Sequence, residues 1–366
     1  MNYEIKQVNF EISNFTTISK KIINSNLLIR SNDSYSSYKI INYIGKGTVG
    51  QVYLLESQKD LSECVIKISN LECVEDLFNE VKFIQNTFTK YNIEHPSFPL
   101  FCGYFTNLKA FGVIYPYFGF FNLEKIKTID YTIDFINNKK IILQIINQLI
   151  SLKNIIHSDL KSSNVVVDVI NNNIFATIVD FGLAQDCTLA SNVISTHYIT
   201  SPESLLSTPY FSECLLDKED LKLDKSDYIG LFSIVLNLFI RKSFWSLFFR
   251  YLTDIGFNSE FLHKQKASFI FVYTWFKFCY KDKSQIINKS LHNIINTIEL
   301  MYPSILSKIF LDYDDFFENY ICQYIDLDTI DKKKLDDLKD FTEQIVQFDS
   351  TARPELSELL NHKFLN

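Results

Sequence analysis

A change of texture part-way along this 366-residue chain constrains its fold more than any other feature. From Tyr38 onward the sequence offers short runs rich in β-branched and aromatic residues, "YKIINYI", "QVYLLES" and "ECVIKIS", separated by turns, with "FGVIYPYFGF" as a further strand later on. Such runs predict a strand meander. One stretch breaks the pattern: "EDLFNEVKFIQNTF" (75–88) sets Leu77, Phe78, Val81, Ile84 and Phe88 at helical spacing. After residue 123 helical patterns take over, beginning with "NKKIILQIINQLISLKN". "YIGLFSIVLNLFI" (228–240) and "SFIFVYTWFKFCY" (268–280) are too short to span a bilayer and predict buried core helices. The expected class is α+β, a small β-rich lobe with one main helix followed by a larger, mostly α-helical lobe. Residues 1–37 are polar and β-leaning, without Gly or Pro, and are expected to form an N-terminal extension.

Composition narrows the partners. Hydrophobic residues at 47% and charged residues at 22% suit a soluble globular protein. A formal net charge of -7 with no Lys/Arg block argues against nucleic acid and anionic membrane, so neither is expected. The seven cysteines include no C-x-x-C pair, which favours reduced thiols and an intracellular setting, cytoplasmic or nuclear. The start, "MNYEIKQVNFEIS", shows no basic stretch followed by an apolar core, so no secretory signal is expected.

"GKGTVGQV" gathers Gly45, Gly47 and Gly50, three of the nine glycines. Without a Cβ, such residues let backbone amides approach phosphates closely. Taken alone, the pattern also fits a flexible hairpin turn or a dinucleotide-binding loop. The latter should open a helix, whereas this one opens "QVYLLES", a strand. That leaves a plain hairpin turn, or a β-hairpin flap in which Gly45, Lys46, Gly47, Thr48, Val49, Gly50 and Val52 would cover a nucleotide. Lys67, in "VIKI", would reach the α- and β-phosphates if a carboxylate holds it. Glu80 in "NEVKFI" is the natural holder, with Glu72 and Glu75 as alternatives.

"HSDLKSSNVVVD" (157–168) is a polar loop when read alone, and it changes meaning beside "VDFGLA" (179–184). Asp159 is a carboxylate to aim at a substrate hydroxyl. Asn164 and Asp180 are hard oxygen ligands of the kind Mg²⁺ requires while it bridges phosphate oxygens. Lys161 would stabilise the phosphoryl group in transit.

Gly45-x-Gly47-x-x-Gly50-x-Val52, Val65-Ile66-Lys67, Glu80, His157-x-Asp159-x-Lys161-x-x-Asn164 and Asp180-Phe181-Gly182 together resemble the eukaryotic protein kinase signature set. "TSPES" is similar to the motif that closes the activation segment, with Ser201 in place of Ala. "KSDYIGLFSIVL" resembles the central helix with its buried acid, Asp227, and "DSTARPELSELLNHKFL" the C-terminal stretch in which Arg353 would pair with Glu203. The resemblance covers roughly residues 38–366, with an N-lobe over 38–117, a C-lobe over 118–366, and insertions near 204–226 and within 241–340. It implies a bilobal kinase fold and transfer of the γ-phosphoryl of ATP, with Mg²⁺, to protein hydroxyls. The acidic side chains would converge on the magnesium-bound nucleotide in a cleft between the lobes. Adenine would lie against 115–119, contacting Tyr117 and Phe118, with Tyr115 at the back of the pocket. Lys161 and Thr196 match the serine/threonine pattern, Thr196 bonding Asp159 and Lys161.

The departures carry expectations of their own. Ser158 stands where many such kinases carry the Arg that meets an activating phosphate, so segment 180–203 is expected to need no phosphate at Thr188, Ser191, Ser195 or Thr196. Ser162 replaces a common Pro. Pro116 has no amide hydrogen, leaving adenine contacts to its carbonyl and to Phe118. Ile229 and Phe232 replace the usual Trp and Gly of the central helix. His157 is expected to pack and bond backbone. The larger insertion, with "FWSLFFRYL" and the acidic stretch from "DYDDFFENY" onward, reads as an enlarged helical lobe with a solvated acidic face, or as a docking surface for a basic protein substrate. Two other functions compete: a pseudokinase scaffold binding partners through these insertions, and a small-molecule kinase, a type that ordinarily lacks the glycine flap and the Glu203–Arg353 pair.

Overall fold

The computed structural model describes residues 5–12, 22–30, 35–119, 121–126, 135–188, 201, 203–204, 223–256, 265–280, 283–286, 289–301, 303–306, 309, 312–325 and 331–366. The chain forms two compact units. One comprises Met1–Phe121, Ser151–Lys153 and Val166–Gly182, and the other Asn122–Ile150, Asn154–Val165 and Leu183–Asn366.

In the first unit, β1 (Lys6–Ile12), β2 (Asn26–Arg30), β3 (Tyr35–Lys46), β4 (Gly50–Ser57), β5 (Glu63–Ser69), β6 (Phe101–Phe105) and β7 (Phe111–Pro116) close into a barrel in the order β1-β2-β3-β4-β5-β7-β6. The predicted meander is β3-β4-β5, antiparallel throughout. The stretch 1–37 behaves differently from an extension, because β1 and β2 come from it and complete the barrel. β1 pairs antiparallel with β2 and parallel with β6, setting Lys6 opposite Phe101 and Phe10 opposite Phe105. Two-residue alternation explains their capture: Val8, Phe10 and Ile12, then Leu27 and Ile29, point into the barrel core, while Gln7, Asn9 and Arg30 face out. Phe10, Ile12, Ile22 and Leu27 are fully buried. At about 1.5–3 kcal/mol for each such side chain, their burial is of the order of a whole domain's net stability. Gly103 makes the parallel seam possible, since a Cβ there would lie 1.7 Å from the Val8 carbonyl oxygen.

α1 (Val74–Tyr91) is the predicted helix. Leu77, Val81, Ile84 and Phe88 are buried as their spacing requires, and Glu80 lies on the same face. Phe78 is the exception, 37% exposed with its ring edge-on to Phe111 at 5.7 Å. Asn92, in the left-handed region, ends the helix by donating to the carbonyls of Phe88 and Thr89. β8 (Val165–Ile170) and β9 (Asn173–Ile178) lie side by side in a second sheet. Asn171 and Asn172, both with positive φ, form the two-residue turn between them. β9 delivers the chain to Asp180.

The second unit is helical: α2 (Phe135–Leu152), α3 (Asp227–Ile240), α4 (Phe244–Asp254), α5 (Gln265–Cys279), α6 (Lys289–Met301) and α7 (Lys332–Ile345). α3 is buried almost all round, as its unbroken apolar run predicts. The part of the larger insertion that is described builds an enlarged helical core. Phe244 packs edge-on against Trp275 at 5.0 Å, Phe278 against Phe316 at 4.8 Å, and the Trp275 indole N–H donates to the Val346 carbonyl. Some of its acids face solvent. Asp314 and Glu318, 68% and 63% exposed, both reach Lys339 of α7. No described helix is long and apolar enough to cross a membrane. Most of the smaller insertion, 205–222, lies outside the described residues.

Candidate active site

β3 and β4 form the glycine hairpin, Gly45 opposite Val52 and Lys46 opposite Gln51, with the Gly47 N–H donating to the Gly50 carbonyl at 2.9 Å. The loop opens a strand, as the sequence indicates. Gly50 is required by space, because a Cβ would lie 2.2 Å from the Ile68 carbonyl oxygen. Asn70, which sequence reasoning did not single out, ties down the tip: its backbone N–H donates to Val49 O at 2.9 Å and its amide to Thr48 O at 3.3 Å. An Asn closing a strand carries no signal that would have marked it.

Lys67 sits on β5 opposite Val52 on one side and Val113 on the other. Its Nζ donates to Glu80 Oε2 at 2.8 Å and to Asp180 Oδ1 at 3.0 Å. Of the three candidate holders the structure selects Glu80, which alone lies on the buried face of α1. Glu72 and Glu75 are exposed. Burial draws the Lys67 ammonium down, yet the Glu80 and Asp180 carboxylates more than offset it and hold it above the ordinary lysine range. Burial pushes the Glu80 carboxyl up while Lys67 draws it back. Tyr115 adds a second bond, its hydroxyl donating to Glu80 Oε1 at 3.0 Å. Tyr117 and Phe118 are half-buried in the connection that follows β7.

Asp180 adopts the left-handed region, φ 68, a costly conformation for a residue with a Cβ. Its neighbours over-determine it. Phe181 is buried edge-on against Phe88 of α1 at 5.4 Å and against His95 at 5.2 Å, and the Ser97 hydroxyl donates to the Ile178 carbonyl.

The second unit builds the loop around Asp159. Ile155–Ile156 pairs antiparallel with Gln185–Asp186. The backbone N–H groups of His157 and Ser158 donate to Asp227 at 2.6 and 2.9 Å, one to each carboxylate oxygen. Burial pushes the Asp227 carboxyl up, and these two amides together with the His157 ring draw it back. Ser158 takes φ 63, so the loop turns sharply where Asp227 grips it. His157 is fully buried, and its Nδ1 accepts from the Asp159 N–H at 3.3 Å, in keeping with a packing and backbone-bonding role. Lys161 Nζ lies 2.8 Å from Asp159 Oδ2. The Asn164 side-chain nitrogen donates to both the Asp159 carbonyl and Oδ2, each at 2.9 Å. Ser162 accepts from Asn237 of α3, which accounts for a hydroxyl where Pro is common.

Farther along, Arg353 holds Glu203 bidentately, Nη1 to Oε1 at 2.5 Å and Nη2 to Oε2 at 2.9 Å. Ser191, Ser195 and Thr196 lie outside the described residues. Lys67, Glu80, Tyr115 and Asp180 thus meet within one unit, and Asp159, Lys161 and Asn164 within the other.

A sequence model of the protein kinase domain matches residues 38–246, more than half of the chain. The chain belongs to the protein kinase domain family. It is similar to the probable serine/threonine-protein kinase nek3 of Dictyostelium discoideum, 28% identical over 185 residues, which cover 45% of this chain and 16% of that protein. Serine/threonine-protein kinase Nek5 of Mus musculus is 28% identical over 184 residues, 48% of this chain and 28% of its own length. The probable serine/threonine-protein kinase yakA of Dictyostelium discoideum is 29% identical over 202 residues, 52% and 14%. The match therefore spans less than a third of each of these relatives. The crystal structure of a kinase domain shares the fold, with a TM-score of 0.59 at 16% identity over 96% of this chain and 98% of that one.

Proposed function

We propose that this protein is a serine/threonine protein kinase that transfers the γ-phosphoryl group of ATP, with Mg²⁺, to hydroxyls of protein substrates. The observation that carries the reading is the ammonium of Lys67, held between Glu80 and Asp180 on a strand beside the glycine hairpin. Backbone amides of Gly45 to Gly50 suit a polyphosphate, and Lys67 adds the positive charge that aligns it. Asp159 orients the substrate hydroxyl and takes its proton as the oxygen attacks the γ-phosphorus. The bond from that phosphorus to the β–γ bridging oxygen breaks, and ADP leaves. Lys161, bonded to Asp159, stabilises the charge that moves.

Asn164 and Asp180 are hard oxygen donors of the kind Mg²⁺ prefers. Because the Asn164 side-chain nitrogen is committed to Asp159, its Oδ1 is the atom that would serve the ion. The ion, when bound, neutralises charge on the phosphates. Adenine would use the Pro116 carbonyl and the backbone of Phe118. The names of the relatives and Lys161 support serine/threonine specificity, and cysteines spaced without a C-x-x-C pair support an intracellular site. The exposed acids near Asp314 favour basic protein substrates. Ser158, an uncharged buried residue, has nothing with which to meet an activating phosphate, so activity is proposed to need none.

Incubation with γ-labelled ATP, Mg²⁺ and a generic basic protein tests the reading. Label on serine and threonine, abolished by Asp180→Ala in a protein that still folds, is the expected result. Nucleotide binding without transfer by the wild-type chain would favour a scaffold instead.

A further inference from the structure

The Lys67–Glu80 pair accounts for one oxygen of the Glu80 carboxylate, leaving Oε1 to be satisfied at a buried position. Tyr115 supplies that partner. It lies on β7 opposite Val65 of β5, one pleat along from the Val113–Lys67 pairing, so its ring shares the face that carries the Lys67 side chain. The ring packs against the buried cluster to which Leu77 and Val81 of α1 belong, and the hydroxyl reaches Glu80 Oε1 at 3.0 Å. Burial, and after it the Glu80 carboxylate, pushes the phenol well above its ordinary range, so it is a proton donor at neutral pH. Glu80 is thereby held from two strands at once, β5 through Lys67 and β7 through Tyr115.

We propose that Tyr115 is a positioning residue for phosphoryl transfer: its hydroxyl fixes the Glu80 carboxylate so that Oε2 stays on Lys67. The proposal rests on the kinase reading and adds to it a role that the Lys67–Glu80 pair alone does not contain. Two anchors remove the rotation by which a single-bonded glutamate would swing away and release the ammonium. α1 is consequently held in its phosphate-aligning position by the chain's own side chains. A bulky residue at this site serving only as a wall would need the ring and not the hydroxyl.

Tyr115→Phe separates the two roles because it keeps the ring. A hydrogen bond to a charged group is strong enough that losing it should lower kcat about tenfold, with KM for ATP changed less than about threefold. Combining it with Glu80→Gln should give a double variant no slower than Glu80→Gln alone, because both changes act on one contact. Amide hydrogen exchange along α1, measured without nucleotide, should quicken in Tyr115→Phe as it does in Glu80→Gln. A kcat within about twofold of wild type, or effects that simply multiply in the double variant, would overturn the proposal. So would a change confined to KM, which marks a pocket wall. If the wild-type chain transfers no phosphate, the kinase reading fails, and exchange along α1 still decides whether Tyr115 holds Glu80: unchanged protection in Tyr115→Phe rejects it.

Discussion

Two cations, one buried and one nearly so, one in each unit, are held in opposite ways. Arg353 is fully buried, and four of the five N–H donors of its guanidinium are engaged: Glu203 takes Nη1 and Nη2, the Gln347 carbonyl takes Nε, and the Lys225 carbonyl takes Nη1 again. Lys67 keeps 12% of its side chain exposed and is shared by Glu80 and Asp180, two anions on one ammonium. The planar fork of Arg commits its donors in a fixed geometry, whereas an ammonium is a point charge that takes partners from any direction. The first arrangement commits the charge to the protein's own groups and suits a role in holding the fold. The second leaves the charge within reach of a further anion, as alignment of a phosphate requires.

The largest effect that can break this contrast is expected at the Arg353–Glu203 pair. Glu203→Ala leaves a buried guanidinium uncompensated and should cost about 3–5 kcal/mol in denaturant unfolding. A loss below about 1 kcal/mol would mean that Arg353 is no more committed than a surface cation. Next comes the barrel seam. Gly103→Val forces a side chain into the Val8 carbonyl and should destabilise by at least about 1–3 kcal/mol, read as a fall in Tm. An unchanged Tm would show that β1 is not required. Glu80→Gln should cost stability less than Glu203→Ala, about 1 kcal/mol, because Lys67 retains Asp180. An equal cost would erase the distinction.

The smallest effect concerns an exposed carboxylate that neither cluster uses. Hydrogen bonds from Ser62, chiefly from its hydroxyl, lower the Asp60 carboxyl to about 2. A depressed folded value means the contribution is present above the ordinary carboxylate range and fades as pH falls toward 2. Asp60→Asn should therefore change the slope of stability against pH only in that acidic window, and a change of slope near neutral pH would contradict the assignment.

What was legible in the sequence follows the range of the interactions. α1 and the β3-β4-β5 meander rest on local periodicity and were plain. Lys67, Asp159, Asn164 and Asp180 were singled out by motif spacing, because each residue type is the one that the proposed chemistry would need. Glu80 needed the structure to separate it from Glu72 and Glu75, since only a formed helix shows which face is buried. The incorporation of β1 and β2 was hidden. A parallel pairing of residues 6–10 with 101–105 is a long-range event, and neither stretch carries turn residues that point to the other. Gly103 was its one trace, and a glycine in a strand has several meanings. Phe78 fits the helical spacing but lies beyond the width of the buried stripe. The Tyr115 hydroxyl bond joins two elements in space, and no spacing along the chain encodes it.

The central claim is that the Lys67 cluster exists for chemistry and the Arg353 cluster for stability. The most direct test is Lys67→Met, with phosphoryl transfer from Mg-ATP and thermal unfolding measured on the same preparation. The account predicts a loss of transfer of about a hundredfold or more, with a Tm displaced far less than in Glu203→Ala. Transfer retained at close to the wild-type rate by a folded Lys67→Met protein would contradict it.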